Sequence, residues 1–156
     1  MGIPPLDDRG LLPEGAHRAT LQELEAWSRT VPDVKRRLEL LNKLKKFITV
    51  EIGQKYHLSN FPIVLGGSFF TDKLWPGDID LAIEVPGEFL INLGNSILRF
   101  HMNHKFHKEI YELDTYVSVL GGGNNFEDFF GYLGEKSGLE KGLPPKTRKG
   151  TVRIEP

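Results

Sequence analysis

Cysteine is absent from this chain of 156 residues. Its absence excludes disulfides, thiolate metal sites and cysteine nucleophiles, and it suits a reducing compartment. Long apolar runs are missing as well. None approaches the ~20 residues that a membrane-spanning helix needs, so no membrane partner is expected. Nor is there an excess of either charge. With 20 basic and 21 acidic residues the net charge is −1, and the field of the whole molecule does not drive strong nonspecific nucleic-acid binding, which leaves only local basic patches for such a role. The opening MGIPPLDDRG lacks the basic and apolar regions of a signal peptide, so a cytoplasmic location is the expectation. What is present suffices for one domain. Apolar residues make up 39% and charged residues 26%, the balance of a globular chain.

Residues 1 to 19 are rich in Pro, Gly and charge and read as an extended arm. Thr20 opens a capping box, T-L-Q-E, and predicts a short helix to about Ser28. Thr30 opens a second start signal, T-V-P-D, with Pro32 in the first turn. Val34, Leu38, Leu41, Leu44, Ile48, Ile52 and Tyr56 then recur every three or four residues. This predicts a long amphipathic helix ending near His57. Its other face carries Lys35, Arg36, Arg37, Lys43, Lys45, Lys46 and Lys55, expected in solvent. Strands are predicted over residues 60–65, 78–85, 110–120 and 151–154, and helices over 88–102 and 126–136. The apolar positions of the first of those helices are Phe89, Leu90, Leu93, Ile97, Leu98 and Met102. Gly121 to Asn125 reads as a loop. No repeat or second domain is visible. The arm, the helices of 20–57, a core of 60–120 and a C-terminal helix, loop and strand in 121–156 form one unit.

The chemistry concentrates in GGSFFTDKLWPGDIDLAIEV, residues 66 to 85. Side chains two apart on a strand share a face, so Asp78 and Asp80 stand side by side while Ile79 and Leu81 enter the core. Their α-carbons are then roughly 6–7 Å apart. Hard oxygen ligands at that separation suit Mg²⁺ or Mn²⁺. Asp114, in phase with Tyr116 and Ser118 on a later strand, is a third acid. If the two strands pair, three carboxylates converge and can hold two ions about 4 Å apart, an arrangement suited to phosphoryl transfer. Gly66 and Gly67 allow a ligand close to the backbone. The strand, glycine turn and helical turn aim amides at a phosphate, with the Ser68 hydroxyl and Lys73 in reach.

The segment LGGS, then nine residues, then DIDL, with LDTY on a later strand, resembles the nucleotidyltransferase superfamily that includes DNA polymerase β. GLLPEGAHRATLQELE and KGTVRIEP resemble a group of small bacterial nucleotidyltransferase-like proteins. The resemblance implies a minimal nucleotidyltransferase fold, α+β, with a mixed sheet and helices packed on one face. It implies that Gly67 and Ser68 contact a triphosphate, that Asp78 and Asp80 bind both metals, and that Asp114 binds the catalytic metal and helps activate an acceptor hydroxyl. The implied reaction moves a nucleoside monophosphate, from ATP or another nucleoside triphosphate, to that hydroxyl. No added helical domain to grip an acceptor is read in these residues, so the unidentified acceptor, RNA, a protein or a small molecule, is expected to bind the arm, the basic helix or a partner protein. The superfamily includes antitoxins that nucleotidylate a partner toxin, so a toxin–antitoxin role stays open beside a non-catalytic nucleotide- or partner-binding module.

Other clusters carry less. His101, His104 and His107 step by three and spread around a helix, which favours an exposed helix end over a zinc site. Glu84 continues the acidic face too far along its strand to be a ligand. Glu112 points away from Asp114. Phe126, Phe129, Phe130 and Tyr132 read as core. A sugar-nucleotide glycosyltransferase also uses Asp-x-Asp with a metal, but the glycine turn and the missing nucleotide-sugar domain count against it.

Overall fold

Alternation of apolar and polar residues, confined to short runs, yields the strands of this protein. A computed structural model describes residues 2–122 and 125–156. Along them run β1 (Gly15–Arg18), α1 (Leu21–Ser28), α2 (Val34–Lys46), β2 (Ile63–Gly66), β3 (Ile79–Pro86), α3 (Leu90–Met102), α4 (His104–Tyr111), β4 (Leu113–Leu120), α5 (Phe126–Phe130), α6 (Glu135–Lys141) and β5 (Gly150–Ile154). The strands form one mixed sheet in the order β1-β5-β2-β3-β4. The pairs β1/β5 and β3/β4 are parallel, and β5/β2 and β2/β3 are antiparallel. The expected α+β class is what is observed. No helix among the described residues is long and apolar enough to cross a membrane. Gly123 and Asn124, part of the predicted loop, lie outside the described residues.

Ile79, Leu81, Ile83 and Val85 are fully buried on one face of β3, against side chains from α1 to α4. Burying side chains of this size supplies most of the favourable free energy of such a fold, about 1.5–3 kcal/mol each. The opposite face has its own small core. There Val64 and Ala82 lie beneath Phe130, flanked by Tyr116 and Phe126. Helices α1 to α4 thus share one face, while α5 packs on the other.

Several elements depart from the sequence reading. Thr20 caps α1 through the expected capping box, but Thr30 starts no helix. Its hydroxyl donates to the Trp27 carbonyl and finishes α1 instead. Asp33, in the left-handed conformation at φ 58°, leads into α2. After α2 the chain continues as a wider π-helix over Phe47–Lys55, with Tyr56 N–H donating back five residues to Glu51. The extra residue per turn rotates the buried face. Phe47 joins the core while Ile48 stays half-buried, and within α2 itself Leu40, off the predicted stripe, is fully buried.

Two cations expected in solvent are buried. Arg37 is fully enclosed and Arg36 nearly so. Arg37 donates to the carbonyls of Pro32, Phe69, Thr71 and Lys73, which satisfies a guanidinium that burial pulls down to about 10. On α3, Ile97 and Phe100 are buried with Leu93 against the core, whereas Leu98 and Met102 face solvent. The strand predicted from Ile110 is helix α4 up to Tyr111, and Glu112 turns it into β4 at φ 52°. The predicted helix of 126–136 is divided into α5 and α6. Finally, the extended arm is part of the fold. Leu11 and Leu12 are fully buried, and β1 extends the sheet along β5.

Candidate functional site

Parallel pairing of β3 and β4 sets Asp80 directly beside Asp114. Asp78 lies two residues before Asp80 and reaches the same place. One carboxylate oxygen from each acid lies within 4.8 Å of the other two. The expected convergence of Asp78, Asp80 and Asp114 is therefore present. Among the described residues this is the one group of three or more acids or histidines close enough to share a metal ion.

Three like charges so close are costly. Burial pushes the Asp80 carboxyl up to about 7, with Asp78 and Asp114 adding to the rise. The chain compensates in part. Lys108 from α4 pairs with Asp78, and Tyr116 O–H donates to Asp114 Oδ2 at 3.0 Å. Lys149, just ahead of β5, is buried and donates to the Phe130 carbonyl at 3.0 Å. Burial lowers its pKa to about 8, against the opposing pull of Asp80. The donor set is all hard oxygen, crowded and short of positive charge. It fits a divalent cation of the Mg²⁺ or Mn²⁺ type.

A cleft of about 700 Å³ opens over Asp78 and Asp80. Gly67, Ser68 and Lys73 line it. Gly67 is the residue before a 3₁₀ turn, Ser68–Phe70, and its φ of +94° is one that glycine adopts without strain. A Cβ there would sit 3.0 Å from Asp80 Oδ2, so the bare backbone lets the turn lie against the acid. Gly66 differs from expectation. It is buried, and a Cβ on it would come within 2.7 Å of Phe130 Cβ. Its space belongs to α5 rather than to a ligand. Lys73 is on the cleft wall, with Glu140 at 3.5 Å.

Other sequence expectations meet mixed outcomes. Glu112 turns away from the triad as expected, and Arg36 and Lys43 bind it. These bonds, Arg36 first, hold its carboxyl near 2. Glu84 is buried and paired with Arg153. His101 and His104 are exposed, but His107 is fully buried between Tyr56 O–H and Thr115 Oγ1. Phe130 is core, whereas Phe129 and Tyr132 are exposed on the cleft wall.

Sequence reasoning missed Lys108, Lys149 and Trp75 as parts of the cleft. Lys149 sits in a basic loop with no local pattern to mark it, and its place follows only from β5 entering beside β2. Tyr116 carried a signal, because it shares the phase of Asp114. No curated protein and no solved structure matches the chain. A family model does, over residues 4–155. The chain belongs to that family, described as a family of unknown function, DUF6932.

Proposed function

We propose that this protein is a metal-dependent nucleotidyltransferase that moves a nucleoside monophosphate from a nucleoside triphosphate to a hydroxyl of RNA, a protein or a small molecule. The observation that carries the reading is the meeting of three carboxylates within 4.8 Å beside a glycine turn at an open cleft. Asp78, Asp80 and Asp114 would hold Mg²⁺ or Mn²⁺. When bound, such ions offset the charge that gathers on phosphate oxygens in the transition state.

The chain's own residues supply position. Gly67 presents bare backbone, Ser68 a hydroxyl, and Lys73, Lys108 and Lys149 positive charge along the cleft. Together they favour a polyanionic tail over a neutral ligand. The acceptor oxygen attacks the α-phosphorus, forming a new P–O bond. The bond to the bridging oxygen breaks and pyrophosphate leaves with its electron pair. The acceptor proton passes to Asp114, which Tyr116 holds in place, and then to water. Fixing the two reactants in line is the main contribution of the protein.

The test uses triphosphates labelled at the α-phosphate, Mg²⁺ and a cell extract. Labelled RNA, protein or small molecule is expected with the wild type and is lost in Asp78→Ala and Asp80→Ala. Label that persists in both variants, or that never transfers from ATP, CTP, GTP or UTP, overturns the reading.

A second reading is a partner-binding module, such as a nucleotidyltransferase-like antitoxin acting by contact. Ile91, Leu98 and Met102, exposed along α3, favour it. Binding to a partner that survives both aspartate substitutions, without transfer, is its signature.

A further inference from the structure

Trp75 is exposed on the cleft wall and yet held in place. The residue is 62% exposed, yet its backbone and ring both have fixed partners. The backbone is left-handed at φ 50°, a conformation a bulky side chain adopts only when its surroundings impose it. Asp33 ties this backbone down, accepting the Trp75 N–H on Oδ2 at 2.6 Å. The Arg36 guanidinium sits 4.7 Å from the ring centroid and covers one side of the indole. Arg36 cannot drift, because it also donates to the carbonyls of Pro76 and Gly77 and to both carboxylate oxygens of Glu112.

The result is an indole with one side backed by a fixed cation, held on the wall of the cleft that contains Asp78 and Asp80. The other tryptophan differs. Trp27 is buried, and its indole N–H donates to the Pro4 carbonyl. The cleft's volume of about 700 Å³ lies within the range of roughly 300–1,000 Å³ common to small-molecule sites.

We propose that Trp75 is the stacking platform for the planar base of the nucleotide. The proposal rests on the triphosphate reading above and adds to it where the base lies. A phosphate tail has no use for an aromatic wall, whereas every nucleobase offers a π-face to one. Because stacking reads no hydrogen-bond pattern, the site is expected to accept more than one base. Backing by Arg36 removes most of the entropic cost of orienting the ring when the ligand arrives.

The experiment is calorimetric titration of the full chain with the Mg²⁺ complexes of ATP, CTP, GTP and UTP, and with Mg²⁺–tripolyphosphate, which has no base. Trp75→Ala is expected to weaken triphosphate binding about tenfold or more. It should leave tripolyphosphate within about twofold, since base stacking is the interaction removed. Trp75→Phe, which keeps a ring, should retain most of the affinity. Indole fluorescence of the wild type should fall on adding a nucleotide and not on adding tripolyphosphate.

If the wild type binds nucleotides and Trp75→Ala binds them equally well, the platform is wrong while the transferase reading stands. If the substitution weakens tripolyphosphate as much as nucleotides, Trp75 only braces the loop and the platform is again wrong. If the wild type binds neither ligand, the platform and the transferase reading fall together. Thermal melts of both variants show whether each is folded.

Discussion

Arg36 and Glu112 form a bidentate pair, with guanidinium-to-carboxylate distances of 3.0 and 3.1 Å. The pair stands behind the acidic triad rather than in it. Arg36 also holds the carbonyls of Pro76 and Gly77, immediately before Asp78, and Glu112 is two residues before Asp114. One guanidinium therefore ties together the approaches to both acid-bearing strands.

Substituting Arg36 with Met should loosen both approaches. It leaves Glu112 with Lys43 as its remaining basic partner and two carbonyls short of donors. A loss of about 2–3 kcal/mol in unfolding free energy is expected from denaturant melts. Mn²⁺ affinity, followed by electron paramagnetic resonance, should weaken as well. Unchanged metal affinity in a destabilised but folded variant would separate the brace from the site.

Asp80→Asn removes one of three crowded like charges. The metal-free variant should be more stable than the wild type by about 1 kcal/mol, a rise of roughly 2–4 °C in melting temperature. The wild type should gain stability on adding Mn²⁺, because the ion binds the native state alone, and the variant should not. Melts with chelator and with Mn²⁺ check both halves. A variant that melts lower than the wild type under chelation contradicts the crowding argument.

The two adjacent glycines should fail in different ways. Gly66→Ala forces a Cβ against Phe130 and should cost about 1–3 kcal/mol of stability through overpacking. Gly67→Ala strains a left-handed residue and presses on Asp80. It should cost roughly 1 kcal/mol while weakening Mn²⁺ and nucleotide binding more than Gly66→Ala does. Titration and melting of the two variants side by side give the comparison.

His107 governs part of the acid response. Burial, followed by the nearby charges of Lys55 and His104, lowers its pKa from 6.5 to about 4. Between those two values the unfolded chain binds the proton and the folded chain does not. Stability thus falls as pH drops from about 6.5 toward 4, by roughly 3 kcal/mol from this group. His107→Gln should flatten that window in urea melts taken across it, and an equally steep slope in the variant would assign the effect elsewhere.

The site was more legible than its supports. Period-two alternation in β3 and β4 fixed which acids share a face, and three carboxylates in phase can meet only if the strands are neighbours. The glycine turn was legible by composition, but the separate tasks of Gly66 and Gly67 depend on α5, which is brought over the sheet by contacts distant in sequence. Arg36 and Arg37 looked like part of a solvated basic stripe. Nothing in their spacing reveals that backbone carbonyls of a loop some forty residues away will wrap them. His107 reads as part of an exposed helix end, because its inward position depends on the packing of α4 against Phe47 and on Thr115 of β4. Long-range partners, rather than local propensity, decided each of these cases.

β5 is the latest strand in sequence among those described, yet it lies in the interior of the sheet, between β1 and β2. During synthesis the early strand must therefore wait for a neighbour made more than 130 residues later. Until then β2 has a raw edge that could recruit another chain. Non-local closure of this kind slows folding, and in this protein it also delivers Lys149 to the acidic triad, so the sheet seals and the cleft gains its buried cation in the same event.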